Sequence, residues 1–493
     1  MTKEQKYIQN YSQTYVPKYI TNNSILIYFA ALAICSTIYA SNLLELRWII
    51  LGLIEVCGFF YFSNKLSKIL VSTKPRIFIK NIFYIGLLVR VVWVIVSYFL
   101  YIYWTDTPFS IEAADELFYD DVAHYGAKLL RDGQFNIYNG LEMYAGRIGF
   151  SDMGYPIYLS IIYCLFFDSI LIARIIKAIL GAWTAVLIYK LATRNFGESI
   201  GRIAAVLCVL MPNLIYYCSF QLKEVEMVFL TVLFAERADH LLRLNKLSWK
   251  SLLLLMSIPA YMFMIRTALA AVLVLAFFCA LVLSSERIIS WGRRMLLIIM
   301  ATVFLLVIFF SDTAIGQDVK YMWNTGNTTQ KANMEWRSER GSREGTLNQS
   351  FARYASSAVF APIIFTIPFP TMVETPGQEN SKLINGGNFI KNIISYFTII
   401  ALFIMISNKK WRKHVLFLAI ILGYLVVLVF SNFAQSERFH LPILPFHMIL
   451  AAYGISLTRE KLFIKKYFKY WCLLIFIAIV AWNWFKLAGR GMI

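Results

Sequence analysis

No two cysteines in this chain stand in a C-x-x-C spacing. All seven (Cys35, Cys57, Cys164, Cys208, Cys218, Cys279 and Cys472) lie in apolar stretches, where small buried hydrophobes are expected rather than metal ligands or a disulfide framework. The five histidines form no H-E-x-x-H or comparable ligand spacing, so no metal site is expected from them. A P-loop, a Rossmann glycine pattern and a repeat of solenoid period are also missing, which argues against a nucleotide-driven pump built from this chain alone. Charge is scarce: 15% of residues, against about 25% in a soluble globular protein. The polar N-terminus, MTKEQKYIQNYSQTYVPKY, has neither the short apolar core nor the small-residue cleavage site of a signal peptide, so its removal is not expected.

What the chain does have is apolar runs. Hydrophobic residues make up 59% of its 493 positions, and many windows of roughly 17–23 residues are almost free of charge, each enough to cross about 30 Å of hydrocarbon. Spans are expected near 24–42, 47–63, 81–104, 169–192, 202–218, 219–235, 251–266, 268–284, 295–311, 388–406, 415–432, 440–457 and 471–487. The expected fold is thus an all-α polytopic membrane protein of about thirteen helices. The basic residues orient it. Lys65, Lys68, Lys74, Arg76 and Lys80 share one loop, and Arg237, Arg243, Lys246 and Lys250 share another. Arg287, Arg293 and Arg294 follow, then Lys409, Lys410, Arg412 and Lys413, then Arg459, Lys461, Lys465, Lys466 and Lys469. All fall on one side of the expected spans, which makes that side cytoplasmic. Much of the net charge of +19 is then topology signal and attraction to anionic lipid, with no nucleic-acid partner required.

Two long segments face outward under this arrangement. The second, about 312–387, begins as a polar loop and carries SSAVFAPIIFTIPFP, a piece too short and too proline-rich to span, which lies along the interface or dips into it. The first, about 105–168, contains ADELFYDDVAHYGAKLLRDG. Phe118, Val122, Tyr125 and Leu129 recur there at helical spacing, with Asp120, His124, Lys128 and Arg131 on another face, the pattern of an amphipathic helix on the membrane surface. Asp115 sits at its start. Capping is one reading, since Asp is a favoured N-cap and Glu116 suits the dipole of the first turn.

Other ionisable residues emerge on the same side from well-separated helix ends. Arg174 and Lys177 open a span behind the amphipathic piece GYPIYLSIIYCLFF. The turn YYCSFQLKEVEMVFL places Lys223, Glu224 and Glu226, the turn MIRTALA places Arg266, and SNFAQSERFHLPILPFH supplies Glu437, Arg438 and His440. Charges at membrane depth are costly and usually face a bundle interior or cavity. Each has a structural alternative: Arg174 and Lys177 snorkelling to the interface, Lys223 paired with Glu224, Arg438 with Glu437, and His440 on a neighbouring carbonyl. As a group, carboxylates mixed with guanidinium and ammonium groups suit a reaction with a hydroxyl to deprotonate and a phosphate to hold.

Several segments resemble the GT-C superfamily of integral-membrane glycosyltransferases, in particular the branch related to protein O-mannosyltransferases and lipid A aminoarabinose transferases. The first is D-E-x-x-Y followed by a small residue and D-G: Asp115, Glu116, Tyr119, Ala123, Asp132 and Gly133. The second runs continuously from Gly154 to Gly197, similar to the family's juxtamembrane helix and following span. The third is the turn PNLIYYCSFQLKEVEMVFL, and ERFHLPILPF is similar to an R-x-x-L-P-x-x-P turn common in these proteins. The likeness covers about 80–235 well and the later chain thinly. Val225 stands where many relatives carry proline after the acid, Lys223 precedes that acid, and Arg147 is the nearest basic residue ahead of the juxtamembrane helix.

The resemblance implies a polyprenyl-phosphate sugar donor, an outward-facing active site flanked by amphipathic juxtamembrane helices, and an essential acid in the first outer loop. It assigns Asp115 and Glu224 to the two acidic catalytic positions. Asp115 would take the proton of an acceptor hydroxyl on a glycan, lipid or protein. Arg174, Lys223, Arg266 and Arg438, with Glu116 and His440, would line the donor and phosphate site. No cofactor is implied. The expected organisation is an N-terminal tail with two extra spans and a basic loop (1–80), a GT-C-like core (81–311) holding the first outer loop (105–168), a second outer loop (312–387) and C-terminal spans (388–493). The expected location is a bacterial inner membrane, with the site on the extracytoplasmic side. A transporter or flippase for an anionic lipid-linked glycan would also want basic groups in a cavity, but more often shows inverted repeats with broken helices near the midplane. A membrane polysaccharide polymerase would keep the glycan chemistry and change the donor.

Overall fold

The computed structural model of the protein describes residues 15–145, 150–243, 249–283, 363–376, 379–430 and 436–488, with a few isolated residues between 292 and 302 and Met492. Its long helices are α1 (Lys18–Ile38), α2 (Leu46–Leu70), α3 (Pro75–Thr105), α4 (Ala114–Arg131), α5 (Ile137–Ala145), α6 (Phe150–Phe166), α7 (Ile170–Phe196), α8 (Glu198–Leu210), the short α9 (Pro212–Tyr216), α10 (Glu224–Leu242), α11 (Trp249–Ile265), α12 (Thr267–Leu283), α13 (Asn385–Ser407), α14 (Val415–Phe430), α15 (Leu444–Leu457) and α16 (Leu462–Ala488). A helix stands at each expected span except 295–311, which lies almost wholly outside the described residues. Eight of the described helical segments are long and apolar enough to cross a membrane, and nine if one bent pair counts as a single span. This is an integral membrane protein.

Local chemistry explains where the helices begin and end. Pro75 opens α3, where its missing N–H would have lacked a partner anyway, and Asp106 ends the helix in the left-handed conformation. The Ser169 hydroxyl caps α7 by accepting from the Ile172 amide at 3.3 Å, and Gly197 at φ 98° separates α7 from α8. Pro212 cannot continue α8, so the chain restarts as α9 with a bend of 58°. Among the helices, α7 is central. Its Ala173, Ala178, Gly181, Ala182 and Ala185 are small and let it pack closely against α3 and α8, the kind of contact that drives association where lipid tails are as apolar as leucine. Large apolar side chains such as Phe29, Ile54, Leu88, Phe99 and Ile477 point outward instead, as a lipid-facing surface requires.

The helix ends sort into two faces. At one, Arg202 donates to the carbonyls of Leu70 and Thr73 at 2.5 and 2.7 Å, and Arg194 pairs with Glu236 and Asp239 at 2.6 and 2.9 Å. Among the described residues, Arg243 and His414 meet at Asn195, and Lys68 and Arg459 meet at Tyr15, on this face. At the other, α4–α6 lie against the turn at 220–224, the break between α11 and α12, and a short helical turn at Glu437–His440.

Of the SSAVFAPIIFTIPFP segment, residues 363–370 are described. They continue as an irregular, mostly buried strap over 363–375, running antiparallel to α13. The Asn385 amide exchanges hydrogen bonds with the Thr371 backbone at 3.0 and 2.6 Å. Deeper in the bundle, Asn392 donates to the Thr366 and Pro368 carbonyls and Ser395 donates to the Phe365 carbonyl at 2.7 Å. Asn483 of α16 holds Met372 and Pro370 from the opposite side. Since Ser395 lies ten residues into α13, the strap reaches about 15 Å below that helix's start. Irregular backbone is tolerated at such depth only when protein side chains satisfy it. Replacing Asn385 by Leu strands the Thr371 N–H and C=O, at about 1–3 kcal/mol for each buried group left unpaired. A corresponding fall in melting temperature of the purified protein is the expected result, and an unchanged one would mean that the strap does not depend on this amide.

Candidate active site

The second face gathers most of the residues singled out in the sequence. Asp115 is the second residue of α4, but Ala113 occupies the cap position and no side chain caps the helix. The Asp115 carboxylate turns away from its own backbone and accepts from Arg438 Nη1 at 2.6 Å. Nε of the same guanidinium donates to Glu224, the first residue of α10, in a very short contact. One arginine thus spans two carboxylates brought from distant parts of the chain. The three differ in access: the side chain of Asp115 is 59% exposed, that of Arg438 22% and that of Glu224 2%. The pairings considered along the chain, Lys223 with Glu224 and Arg438 with Glu437, give way to these long-range ones.

A buried layer supports the cluster. Glu116 accepts from the Gln221 backbone amide at 2.7 Å and from the Ser110 hydroxyl, and lies 3.6 Å from Arg174, which is fully buried rather than snorkelling. These contacts tie the start of α4 to the turn that leads into Glu224. Lys177 donates to the Phe220 carbonyl at 2.8 Å and to the Leu222 carbonyl in the same turn, and lies 3.8 Å from Glu226. Lys223 is also buried, held by Asp152 of α6 and by the Ile265 carbonyl at 2.9 Å. Arg266 is half-buried beside the cluster, its guanidinium 4.8 Å from the centre of the Phe439 ring. His440 turns from the cluster into the bundle, where its Nδ1 meets Lys391 Nζ at 2.9 Å.

The structure therefore joins Asp115, Glu224 and Arg438 directly, sets Arg266 next to them, and uses Glu116, Arg174 and Lys223 to fix the turn beneath. Asp152 joins this cluster through Lys223, and Lys391 meets His440 deeper in the bundle; neither was singled out from the sequence, where no motif surrounds them. The amphipathic stripe departs from its expectation in part. Val122 and Leu129 of the expected stripe are buried and Tyr125 is half-buried, with Val122 and Tyr125 packed near Met153 and Ile157 of α6, whereas Phe118 is exposed and Ala123, Gly126 and Ala127 extend the buried face. On the surface of α4, a hydrogen bond with Asp120 raises the pKa of half-buried His124 to about 9, adding a positive charge near neutral pH. Among the described residues, no three His, Cys, Asp or Glu side chains converge as metal ligands.

Residues 153–311, from within α6 past the end of α12, match the family model of the dolichyl-phosphate-mannose-protein mannosyltransferases. The match covers about a third of the chain and supports a GT-C glycosyltransferase domain within it. No curated protein and no solved structure matches the chain. The matched stretch contains Arg174, Lys223, Glu224 and Arg266, whereas Asp115, Arg438 and His440 lie outside it. The ion pairs through Arg438 therefore connect the matched part of the chain to regions before and after it.

Proposed function

We propose that this membrane glycosyltransferase moves a sugar from a polyprenyl-phosphate donor to a hydroxyl group of a glycan, lipid or protein on the extracytoplasmic face of a bacterial inner membrane. The observation that carries the reading is the Asp115–Arg438–Glu224 bridge, in which the most accessible carboxylate shares a guanidinium with a buried one at the helix ends. The core is residues 81–311 with the outer loop 105–168, completed by Arg438 from the C-terminal spans.

In the proposed reaction, the acceptor oxygen attacks the anomeric carbon as the bond from that carbon to the phosphate oxygen breaks. Asp115 takes the acceptor's proton. The leaving lipid phosphate is a weak base and needs no strong general acid. Its developing charge is met by Arg438 and Arg266, since a guanidinium can bind phosphate oxygens through two hydrogen bonds at once. Donor phosphate then competes with Asp115 for Arg438, so donor binding frees the base as it fills the site. Glu224 keeps its hold on Arg438 and acts as the second acid of the pair. Lys223, Arg174 and Glu116 act through the turn before α10 rather than by touching the donor. The break between α8 and α9 is a feature the transporter alternative would use, but carbonyls of its first half are engaged by Arg90 of α3.

The test is transfer by purified protein in lipid, against a panel of polyprenyl-phosphate sugars and hydroxyl acceptors. Sidedness is read by labelling intact cells with a membrane-impermeant thiol reagent after placing a cysteine at exposed Asp132 or exposed Lys410. Transfer from one of these donors, with labelling at position 132 and not at 410, is expected. Failure with every polyprenyl-phosphate donor, or the reverse labelling, overturns the proposal.

A further inference from the structure

Arg90 is a fully buried cation within α3. Its Nη atoms donate to the carbonyls of Gly86 at 3.1 Å and of Cys208 and Val209 at 3.3 Å, the last two near the end of α8. A cation is favourable there because the helix break leaves carbonyl groups without partners. Arg90 Nε, however, has only the weakly accepting Cys218 sulfur as a partner among the described residues, and Asn213 Oδ1 and Glu224 Oε2 have none. All three side chains are buried, and all three line one cavity, with Val225 and Val228 among its apolar walls. Buried polar atoms seldom remain unpaired, since each gives up its hydration with nothing in return. The free space in this cavity is about that of one water molecule.

The surrounding helices make room for these side chains. A Cβ added at Gly181 of α7 would lie 2.6 Å from Arg90 Nε, and one at Gly387 of α13 would lie 2.1 Å from Asn213 Oδ1. Both distances are collisions, so each helix presents a glycine where a polar group must pass.

We propose that this cavity is a site for one ordered water, and that Arg90 and Asn213 position Glu224 through it. The hydrogen bonds balance: the water accepts from Arg90 Nε–H and donates to Asn213 Oδ1 and Glu224 Oε2. With Oε1 already held by Arg438, both oxygens of Glu224 are then fixed. The guanidinium that reaches Asp115 inherits that rigidity. The water site stands on the cavity and the three polar atoms that reach it without a nitrogen or oxygen partner. Its effect on transfer rests on the reading given under Proposed function.

The experiment has two arms. The first is an experimental structure of the intact protein in a lipid nanodisc, at a resolution that shows ordered water. Density within hydrogen-bond distance of all three atoms is expected, and a dry cavity overturns the proposal whatever the protein's activity. The second compares Val228→Leu and Asn213→Leu, which fill the cavity from an apolar and a polar wall, with Arg90→Lys, which keeps a donor. The two fillings should lower kcat about ten- to a hundredfold, the worth of one hydrogen bond to a charged group, with donor KM nearly unchanged and, for Val228→Leu, no loss of melting temperature. Arg90→Lys should retain more activity than Arg90→Met. If kcat stays at the wild-type value in both filled variants, or falls only in proportion to melting temperature, the positioning role is overturned. Absence of transfer by the wild-type protein counts against the proposed function, not against the water site.

Discussion

Asp115→Asn is expected to abolish glycosyl transfer while leaving the fold and donor binding nearly intact. A positioned general base contributes about 10²–10⁴-fold, and the amide cannot accept the proton. The geometry makes the experiment a clean one. The Asp115 side chain is 59% exposed, so replacing it strands little buried charge, and the amide oxygen can still accept from Arg438. The melting temperature should therefore move little. A capping role predicts preserved turnover with little change in stability, because asparagine caps a helix about as well as aspartate. The absence of a side-chain cap at the start of α4 already weighs against that alternative. Near-normal turnover with intact expression would remove Asp115 from the chemistry. Single-turnover transfer separates the two, with thermal melting on the same preparation as the check on folding.

Arg438→Ala carries the second large effect, through two routes. It leaves the Glu224 carboxylate buried without its guanidinium, and breaking a buried ion pair from one side costs about 3–5 kcal/mol. It also removes a proposed phosphate ligand, which should weaken donor binding about ten- to a hundredfold. The double variant Arg438→Ala/Glu224→Gln separates these. Neutralising the stranded carboxylate should recover much of the melting temperature, but donor affinity should stay low, because the amide does not replace a phosphate contact. Arg438→Lys should rescue binding only in part, since an ammonium keeps the charge and loses the planar fork. Wild-type donor affinity in the double variant would reduce Arg438 to a strut between α4 and α10.

Glu437 and Arg438 show why side-chain pairing was less legible than helix position. They are adjacent in the chain, and Lys223 adjoins Glu224, so local pairing was the natural alternative for both. Neighbouring side chains on a helical turn point in different directions, and Arg438, Lys223 and Glu224 each meet a partner supplied by another element. Arg174 shows the same limit from another side. A basic residue near a span end can snorkel, yet packing buries this one beside Glu116. Arg90 was hidden for a different reason. Inside an otherwise apolar run it adds one charge to a clear span, and its use depends on a helix break about 120 residues later.

Membrane residence and the position of nearly every long helix were determined by the sequence itself. Those are local properties, because hydrocarbon forces each crossing segment to satisfy its own backbone within one apolar run. The depth of the strap was decided by Asn385, Asn392, Ser395 and Asn483, which come from two other helices and together replace the water that its backbone lacks. The joining of Asp115 to Glu224 through Arg438 was likewise a tertiary outcome. Buried charges take the partners that packing brings within reach, and those need not be close in the chain.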